Sequence, residues 1–211
     1  LDQKISLKQN KNIFEKSYVN VVFAGNIGES QNFEYLIKEV FLNFKDKKIK
    51  WHIFGEGRNI ENIKQLKNAY ELNNLIFHGH VSFQELYPIL LEADFLLVTL
   101  RYEKTFAFTI PGKFQTYINY NKPILAFCGG EVKQLVNKYH LGLAFDYKEI
   151  PTFENLKTYL DKKLFFKNKR EFLIKLFSKE RLINKILWYF NKYENLFYKK
   201  IKVIESSKSL D

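Results

Sequence analysis

The stretch FAFTIPGKFQTYINYNKPILAF, residues 106–127, joins a helix start to a strand and sets Lys113 among apolar and aromatic side chains. Pro111 lies near the first helical position, so Gly112 and Lys113 are predicted in the first turn of a helix. Residues 123–127 are apolar and of strand length. A buried ammonium is costly unless an anion meets it, and a lysine in a first turn also opposes the helix dipole. Lys113 therefore either extends to solvent or binds an anion, and we favour the anion.

Apolar runs of strand length alternate with helical patterns on both sides of this stretch. Strands are predicted at 19–24, 49–54, 75–77, 95–100, 123–127 and 142–145. Helices are predicted at 33–44, at 59–72, at 83–92 and in a short segment that ends at Lys138. Ser82 and Glu85 have the spacing of a capping box before the third of these helices. The alternation predicts right-handed crossovers and an α/β fold, a doubly wound parallel sheet of Rossmann-like type with helices on both faces.

Three segments are expected along the chain. Residues 1–17 are interpreted as a linker or domain-connecting segment, 18–150 as the Rossmann-like ligand-binding domain, and 151–211 as a helical part that packs on the same domain. In that last part, helices are predicted at 153–163, 169–177 and 179–204. The sequence begins at Leu1 and contains no methionine, so we expect the chain to be part of a longer protein.

The composition restricts the partners that we expect. The 211 residues, 46% of them hydrophobic, suffice for one well-packed core, and the net charge of +11 points to an anionic partner. The lysines are dispersed, which argues against nucleic acid. One cysteine and four scattered histidines offer neither a disulfide nor the spacing of a metal site, so no metal or cofactor is expected. No run approaches the ~20 apolar residues that span a bilayer, and we expect a cytoplasmic protein.

Glycines follow three of the predicted strands. Gly25 and Gly28 come after the first strand, Gly55 and Gly57 after the second, and Gly79 after the third. Ligands of open parallel sheets bind beyond the carboxyl ends of the strands, where glycine allows close approach of the backbone. The full GxGxxG and GxxxxGK[ST] patterns are absent, so neither an NAD-binding Rossmann motif nor a P-loop is indicated.

Other polar residues have less specific interpretations. Four of them are predicted to be structural, local or at the surface: His52, Asp94, Cys128 and His140. His78 lies near a strand end and could be structural or functional. Arg101 and Lys104 follow the 95–100 strand on the ligand side, where contact with a phosphate and a position in solvent are both open.

Four segments together resemble the C-terminal nucleotide-sugar-binding domain of GT-B glycosyltransferases, specifically the retaining family-4 (group 1) type. They are GNIGESQNFEYLIKEV (25–40), WHIFGEG (51–57), IFHGHVSFQELYPILLEADFLLVTL (76–100) and TIPGKFQTYINYNKPILAF (109–127). The resemblance extends over about residues 18–195. Its most specific parts are the G-x-G after the second strand and the P-x-K-x-x-x-Y block with its K-P ending.

The resemblance implies that a nucleotide sugar binds along the carboxyl edge of the sheet. Gly25 and Gly28 match the loop near the diphosphate, and Lys113 matches a basic residue beside it. His80 and Val81 match the segment whose backbone meets the base. The full set of residues implied is Gly25, Asn26, Gly28, Gly55, Gly57, Arg58, His80, Val81, Thr109, Ile110, Gly112, Lys113 and Thr116.

The sequence departs from the family pattern at three places. Many members carry a carboxylate that binds the ribose hydroxyls, and Thr116 stands at that position, with Gln115 beside it. The first acidic position of the same motif has no clear match, and Glu103 is a candidate for it. The basic pair found after the first glycine loop is replaced by Gln31 and Asn32.

The function implied is the donor-binding half of a glycosyltransferase in bacterial surface-glycan synthesis, such as capsule or lipopolysaccharide. It would use a UDP-sugar or related donor in a retaining, metal-independent transfer, with Lys113 and Arg101 stabilising charge on the diphosphate. A glycan or lipid-linked acceptor would bind a facing N-terminal domain, without which little transfer is expected. Alternatives are a sugar-nucleotide epimerase of GT-B fold and a non-catalytic nucleotide- or anion-binding partner subunit. The basic, aromatic segment 185–204 could also contact the inner face of a membrane, although packing on protein is favoured.

Overall fold

A computed structural model describes residues 13–161 together with 173–175, 177, 178, 183 and 187. Six strands form its centre: β1 (Val19–Ala24), β2 (Ile49–Phe54), β3 (Leu75–Gly79), β4 (Phe95–Thr99), β5 (Ile124–Phe127) and β6 (Gly142–Phe145). They make one parallel sheet in the order β3-β2-β1-β4-β5-β6. The predicted doubly wound α/β sheet is confirmed, and no predicted strand end is more than two residues from its observed position.

Helices connect the strands and cover the sheet. They are α1 (Phe33–Tyr35), α2 (Ile60–Ala69), α3 (Phe83–Glu92), α4 (Lys104–Ala107), α5 (Gly112–Tyr117), α6 (Gly130–Lys138) and α7 (Phe153–Asp161). The capping box predicted for α3 is present, since the Ser82 hydroxyl accepts from the Glu85 backbone N–H and the Glu85 carboxylate accepts from the Ser82 backbone N–H. The short α4 has no counterpart among the predicted helices.

The predicted helix 33–44 is helical throughout but winds unevenly. After α1 the chain continues as a π-helix over Leu36–Val40 and a 3₁₀-helix over Phe41–Phe44. The apolar spacing of this segment predicts one buried face, and all six side chains of that face are buried: Phe33, Leu36, Ile37, Val40, Phe41 and Phe44. Phe41 stacks on Trp51 at 4.2 Å between ring centroids, and Phe44 meets the same indole edge-on at 5.7 Å. The apolar pattern therefore predicted the buried face correctly, although it did not predict the change of helix type.

The strand order reverses between β1 and β4, which places a topological switch point at the centre of the sheet. Direct backbone bonds extend from the strands into the loops at this edge: the Arg101 N–H donates to the Ser30 carbonyl at 2.9 Å. The Thr99 hydroxyl donates to the Gln31 carbonyl, also at 2.9 Å. The loops after β1 and β4 are thus held together where a ligand of such a sheet would bind.

The chain divides into two compact units, Leu1–Arg170 and Glu171–Asp211. In the first, α7 buries Leu156 and Tyr159 in the same core as β1, β2 and β4. In the second, residues 173–175 are helical and Leu173 is buried. Most of the predicted helices 169–177 and 179–204 and most of the segment 1–17 lie outside the described residues. No helix within the described part of the chain is long and apolar enough to cross a membrane.

Candidate functional site

The loops after β1, β2 and β3 meet through their backbones. The Gly25 N–H donates to the Phe54 carbonyl at 2.9 Å, and the Gly55 N–H donates to the Gly79 carbonyl at 2.7 Å. A Cβ on Gly55 would lie 2.0 Å from the Gly25 carbonyl oxygen, and the Gly55 φ of +128° also disfavours a side chain. Gly55, predicted to bind the ligand, is therefore required first for packing one loop on the next.

Gly57 has the same kind of role. A Cβ there would lie 2.3 Å from the Ile27 carbonyl oxygen. The Ile27 N–H donates to the Glu56 carbonyl at 2.8 Å, and the Asn59 N–H donates back to the Ile27 carbonyl at 3.2 Å. Two reciprocal bonds and a glycine contact thus fix the β1 loop against the β2 loop, with Arg58 exposed beside them.

Lys113 points into the sheet beside Gly25. Its Nζ lies 3.2 Å from the centroid of the Phe23 ring, and a Cβ on Gly25 would lie 3.3 Å from the same nitrogen. Pro111 is the N-cap of α5 and not its first helical residue, because its ψ of 147° keeps it extended. Gly112 and Lys113 are the first two helical residues, as predicted for the first turn. The two residues implied for the diphosphate, Gly25 and Lys113, are in contact.

The Lys113 nitrogen has no hydrogen-bond partner among the described residues although it is buried. The nitrogen of Trp51 and the side-chain oxygen of Asn74 share this condition, but neither can carry a charge. A cation over an aromatic face gains about 0.5–2 kcal/mol, whereas the free-energy cost of burying an unpaired ammonium is several kcal/mol. Burial accordingly lowers the pKa of Lys113 to about 7. The arrangement favours an anion that pairs with this nitrogen.

Tyr117 fixes the position of Lys113. Its hydroxyl accepts from the Ala24 N–H at 2.8 Å and lies 3.4 Å from the Ala24 carbonyl oxygen. Because residues four apart share one face of a helix, this bond to the end of β1 also aims Lys113 at β1. Burial raises the pKa of the Tyr117 phenol, which stays neutral. The sequence analysis did not single out Tyr117, and the i, i+4 spacing within the P-x-K-x-x-x-Y block was the available signal.

The remaining predicted site residues have no described side-chain contact with Lys113. All nine are exposed or half-buried: Asn26, Gly28, Arg58, His80, Val81, Thr109, Ile110, Gly112 and Thr116. The Thr116 hydroxyl donates to the Gly112 carbonyl at 3.1 Å and the Thr109 hydroxyl to the Thr105 carbonyl at 3.0 Å, so both protons are used within the local backbone. The Gly28 N–H donates to the Gln31 side chain at 2.9 Å.

Arg101 is the second cation at the switch point. Its guanidinium lies 3.6 Å from the Glu103 carboxylate, and both side chains are about half exposed. Exposed ion pairs of this kind contribute little, about 0–1 kcal/mol, so the guanidinium can exchange Glu103 for another anion. Glu103 itself, the candidate for the first acidic position, is the N-cap residue of α4 and the partner of Arg101.

A second polar group, which we call the histidine row, consists of the buried Asn20 and His52 and the half-buried His78, in the neighbouring strands β1, β2 and β3. The Asn20 amide donates to the Glu15 and Tyr18 carbonyls, so its oxygen must accept from His52 Nε2–H, at 3.1 Å. His52 Nδ1 then accepts from His78 Nε2–H, at 2.9 Å. Burial, with a smaller effect of His78, lowers the pKa of His52 to about 3. His52 is structural, as predicted.

Asp94 and Cys128 also have structural positions. The Asp94 carboxylate accepts from the Asn20 N–H at 2.7 Å, a structural contact that joins residues 74 positions apart and is not local in sequence. Cys128 is buried, and burial raises the pKa of its thiol to about 12, as suits a core residue. Within the described residues there is no cluster of three metal-ligating side chains.

These features define a doubly wound α/β domain with a buried lysine amine at its topological switch point that has no partner among the described residues. A family model described as Glycosyl transferases group 1 matches residues 18–155. The chain therefore belongs to the group 1 glycosyl transferase family. A search of curated proteins finds no match.

Solved glycosyltransferase structures have the same fold. The lipopolysaccharide outer core galactosyltransferase WaaB is 13% identical, with a TM-score of 0.55 over 88% of this chain and 50% of that one. Anabaena HepE in complex with UDP and glucose is also 13% identical, with a TM-score of 0.60 over 83% and 49%. Sucrose-phosphate synthase from Thermosynechococcus elongatus is 18% identical, with a TM-score of 0.59 over 87% and 47%. The chain thus spans about half the length of these proteins.

Proposed function

We propose that this chain is the nucleotide-sugar-binding part of a glycosyltransferase and that the donor diphosphate binds between Gly25 and Lys113. The observation that carries the proposal is the Lys113 nitrogen, which is buried beside Gly25 at the switch point and has no partner among the described residues. The UDP in the HepE structure lends support, since that protein has the same fold. A UDP-sugar is accordingly the first donor to test.

The chemistry proposed is electrostatic. As the bond to the sugar breaks, negative charge grows on the leaving diphosphate, and an ammonium in a desolvated site stabilises this charge more than water does. Lys113 supplies that charge, and Arg101 can add a second one after leaving Glu103. No metal is assigned a part in this scheme. Retention of configuration, a surface-glycan acceptor and a facing acceptor domain outside this chain belong to the same proposal.

The first test is nucleotide binding by the 211-residue chain. A thermal-shift screen of UDP, GDP, ADP and their sugars identifies the nucleotide, because a ligand that binds the native state raises the melting temperature. Isothermal titration calorimetry then compares wild type with Lys113→Ala. We expect the variant to lose about tenfold to a hundredfold in affinity, since a hydrogen bond to a charged group contributes about 1.5–3 kcal/mol.

Lys138→Ala is the matched control for this titration. Lys138 also lies over an aromatic ring, that of Tyr139 at 5.5 Å, but it is exposed at the end of α6. Its removal should leave nucleotide affinity unchanged. If no nucleotide binds wild type, or if Lys113→Ala binds as tightly as wild type, the proposed diphosphate site is wrong.

A non-catalytic nucleotide-binding subunit is the second candidate. It is favoured by Thr116, which stands where family members carry the ribose-binding acid and whose hydroxyl is bonded to Gly112. Both candidates bind nucleotide, so a binding measurement cannot separate them. Turnover of the bound nucleotide sugar by the whole parent protein does: hydrolysis or transfer of the sugar supports the enzyme, and its absence with intact binding supports the subunit.

A further inference from the structure

The Lys113 amine is stored in a setting that suits its neutral form. The nitrogen is buried, has no acceptor among the described residues and lies over the face of Phe23. A neutral amine accepts this position readily, whereas an ammonium leaves three N–H donors without a conventional acceptor. An anion that reaches the nitrogen reverses this preference, because the charged form then gains a partner.

Among the described residues, no charged group is in contact with the Lys113 nitrogen to hold the ammonium in place. Phe23 meets the nitrogen from β1 and Gly25 from the loop that follows, and neither titrates. Tyr117, one turn along α5, is a neutral phenol bonded to Ala24. Burial lowers the pKa of Lys113, and the nearby cation Arg101 is paired with Glu103 at 3.6 Å.

We propose that binding of a nucleoside diphosphate at this site takes up one proton at Lys113, which converts a stored neutral amine into the ammonium that pairs with the diphosphate. This inference rests on the proposed function, because it concerns the same site. The balance is simple: one proton passes from solvent to Nζ, and no covalent bond of the nucleotide changes. Release of the diphosphate returns the proton. Lys113 thereby couples donor binding to pH in the range where a cell operates.

The sign of the pH dependence follows from the unliganded pKa of about 7. Below pH 7 the amine is already protonated, and binding takes up little. Above pH 7 the amine is neutral before binding, so affinity should fall by about tenfold per pH unit until the pKa of the bound form is reached. A permanently charged side chain at position 113 would show no such dependence.

Calorimetry measures the proton directly. UDP is titrated into the 211-residue chain at pH 8.0 in three buffers that differ in ionisation enthalpy, and the slope of observed enthalpy against that quantity gives the protons taken up. The expected uptake is about 0.9 proton, because a group with a pKa near 7 is about one-tenth protonated at pH 8. The phosphates of UDP contribute little at this pH, since the second pKa of a phosphate lies near 6.

Lys113→Arg and Lys138→Arg are the paired variants. Arginine stays charged at every pH used, so the first variant should bind UDP with an uptake close to zero and with an affinity independent of pH between 7 and 9. The second should behave as wild type. Normal UDP binding by wild type with no uptake, or equal uptake in wild type and Lys113→Arg, overturns the inference while the proposed function stands. If the thermal-shift screen selects GDP or ADP, that nucleotide replaces UDP in these titrations, and binding of none of the three by wild type overturns the proposed function itself.

An NMR titration measures the pKa of Lys113 directly and remains informative if arginine does not fit beside Phe23. In protein labelled with ¹³C at the lysine Cε, the Lys113 resonance is assigned by its loss in Lys113→Met. Its titration should give a pKa near 7 without UDP and above 9 with it. A pKa near 10.5 without ligand, the ordinary lysine value, would contradict the inference.

Discussion

The histidine row and Lys113 are both buried polar groups of the same sheet, but only the first is satisfied. In the row, His52 has a partner at each ring nitrogen, and the Asn20 amide donates to two carbonyls. The Lys113 nitrogen has no described partner. Burial lowers the pKa in both places, to about 3 for His52 and about 7 for Lys113. A satisfied buried group holds strands together, whereas an unsatisfied one reduces stability and retains the capacity to bind.

The largest effect on stability is expected from His52→Leu. The substitution leaves the Asn20 oxygen and the His78 N–H without their partners in or near the core. Each unpaired buried group costs about 1–3 kcal/mol, so the free energy of unfolding should fall by about 3 kcal/mol. Urea unfolding followed by circular dichroism at pH 7.5 measures it.

His80→Leu is the control for this substitution, because His80 is exposed just beyond β3. It should change the free energy of unfolding by no more than about 0.5 kcal/mol. Equal effects of the two substitutions would show that the histidine row adds nothing to stability, and the contrast with Lys113 would fail.

A smaller effect of opposite sign is expected from Lys113→Met. Methionine fills the space of the lysine stem without a buried amine, so the free energy of unfolding at pH 6 should rise by about 1–3 kcal/mol while the affinity for UDP falls. Between pH 7 and 10.5 unfolded wild type binds more protons than native wild type, so the stability of wild type rises with pH. The stability advantage of Lys113→Met over wild type should therefore shrink in that range. Urea unfolding at pH 6, 8 and 10 follows both changes.

The exposed Lys138→Met should be neutral in stability and in UDP binding. Destabilisation by Lys113→Met at every pH would mean that the lysine is a structural residue. Lys113 and the histidine row would then both be structural groups.

The smallest effect is the change in the free energy of unfolding of wild type for each pH unit of acidification. Native His52 has a pKa of about 3 and unfolded histidine one of about 6.5, so the unfolded chain binds the extra proton between these values. The free energy of unfolding should fall by up to about 1.4 kcal/mol for each pH unit below 6.5 from this group. The difference in stability between wild type and His52→Leu should therefore narrow from pH 6.5 to 4.5. A difference that stays constant would place the His52 pKa at its ordinary value.

The sequence predicts the sheet well because each strand carries its own signal. The run at β2, for example, is apolar and ends at a glycine, and both ends of that strand agree with the prediction. The 33–44 region shows the limit of such local signals. Its apolar spacing predicts a buried face, but it predicts neither the switch to a π-helix nor the stacking of Phe41 on Trp51, which lies in another element.

The candidate site divides in the same way. Lys113 is conspicuous in the sequence because a cation in an apolar stretch conflicts with its surroundings. The sequence does not show which residues surround Lys113, because the hydrogen bond that orients its helix joins Tyr117 to Ala24, 93 positions away. The sequence predicts that Gly55 and Gly57 bind the ligand, because packing of two loops and contact with a phosphate require the same residue type. Only the three-dimensional structure shows the loop contact.

The backbone bonds at the carboxyl edge have a consequence for how a ligand is accommodated. The loops after β3, β2, β1 and β4 are joined in series, from Gly79 to Gly55, from Phe54 to Gly25 and from Ser30 to Arg101. Loops joined in this way are preorganised. Binding therefore loses little conformational entropy by ordering them, and the free and bound backbones should superimpose closely. Adaptation to the incoming molecule then falls to a single side chain, the amine stored against Phe23.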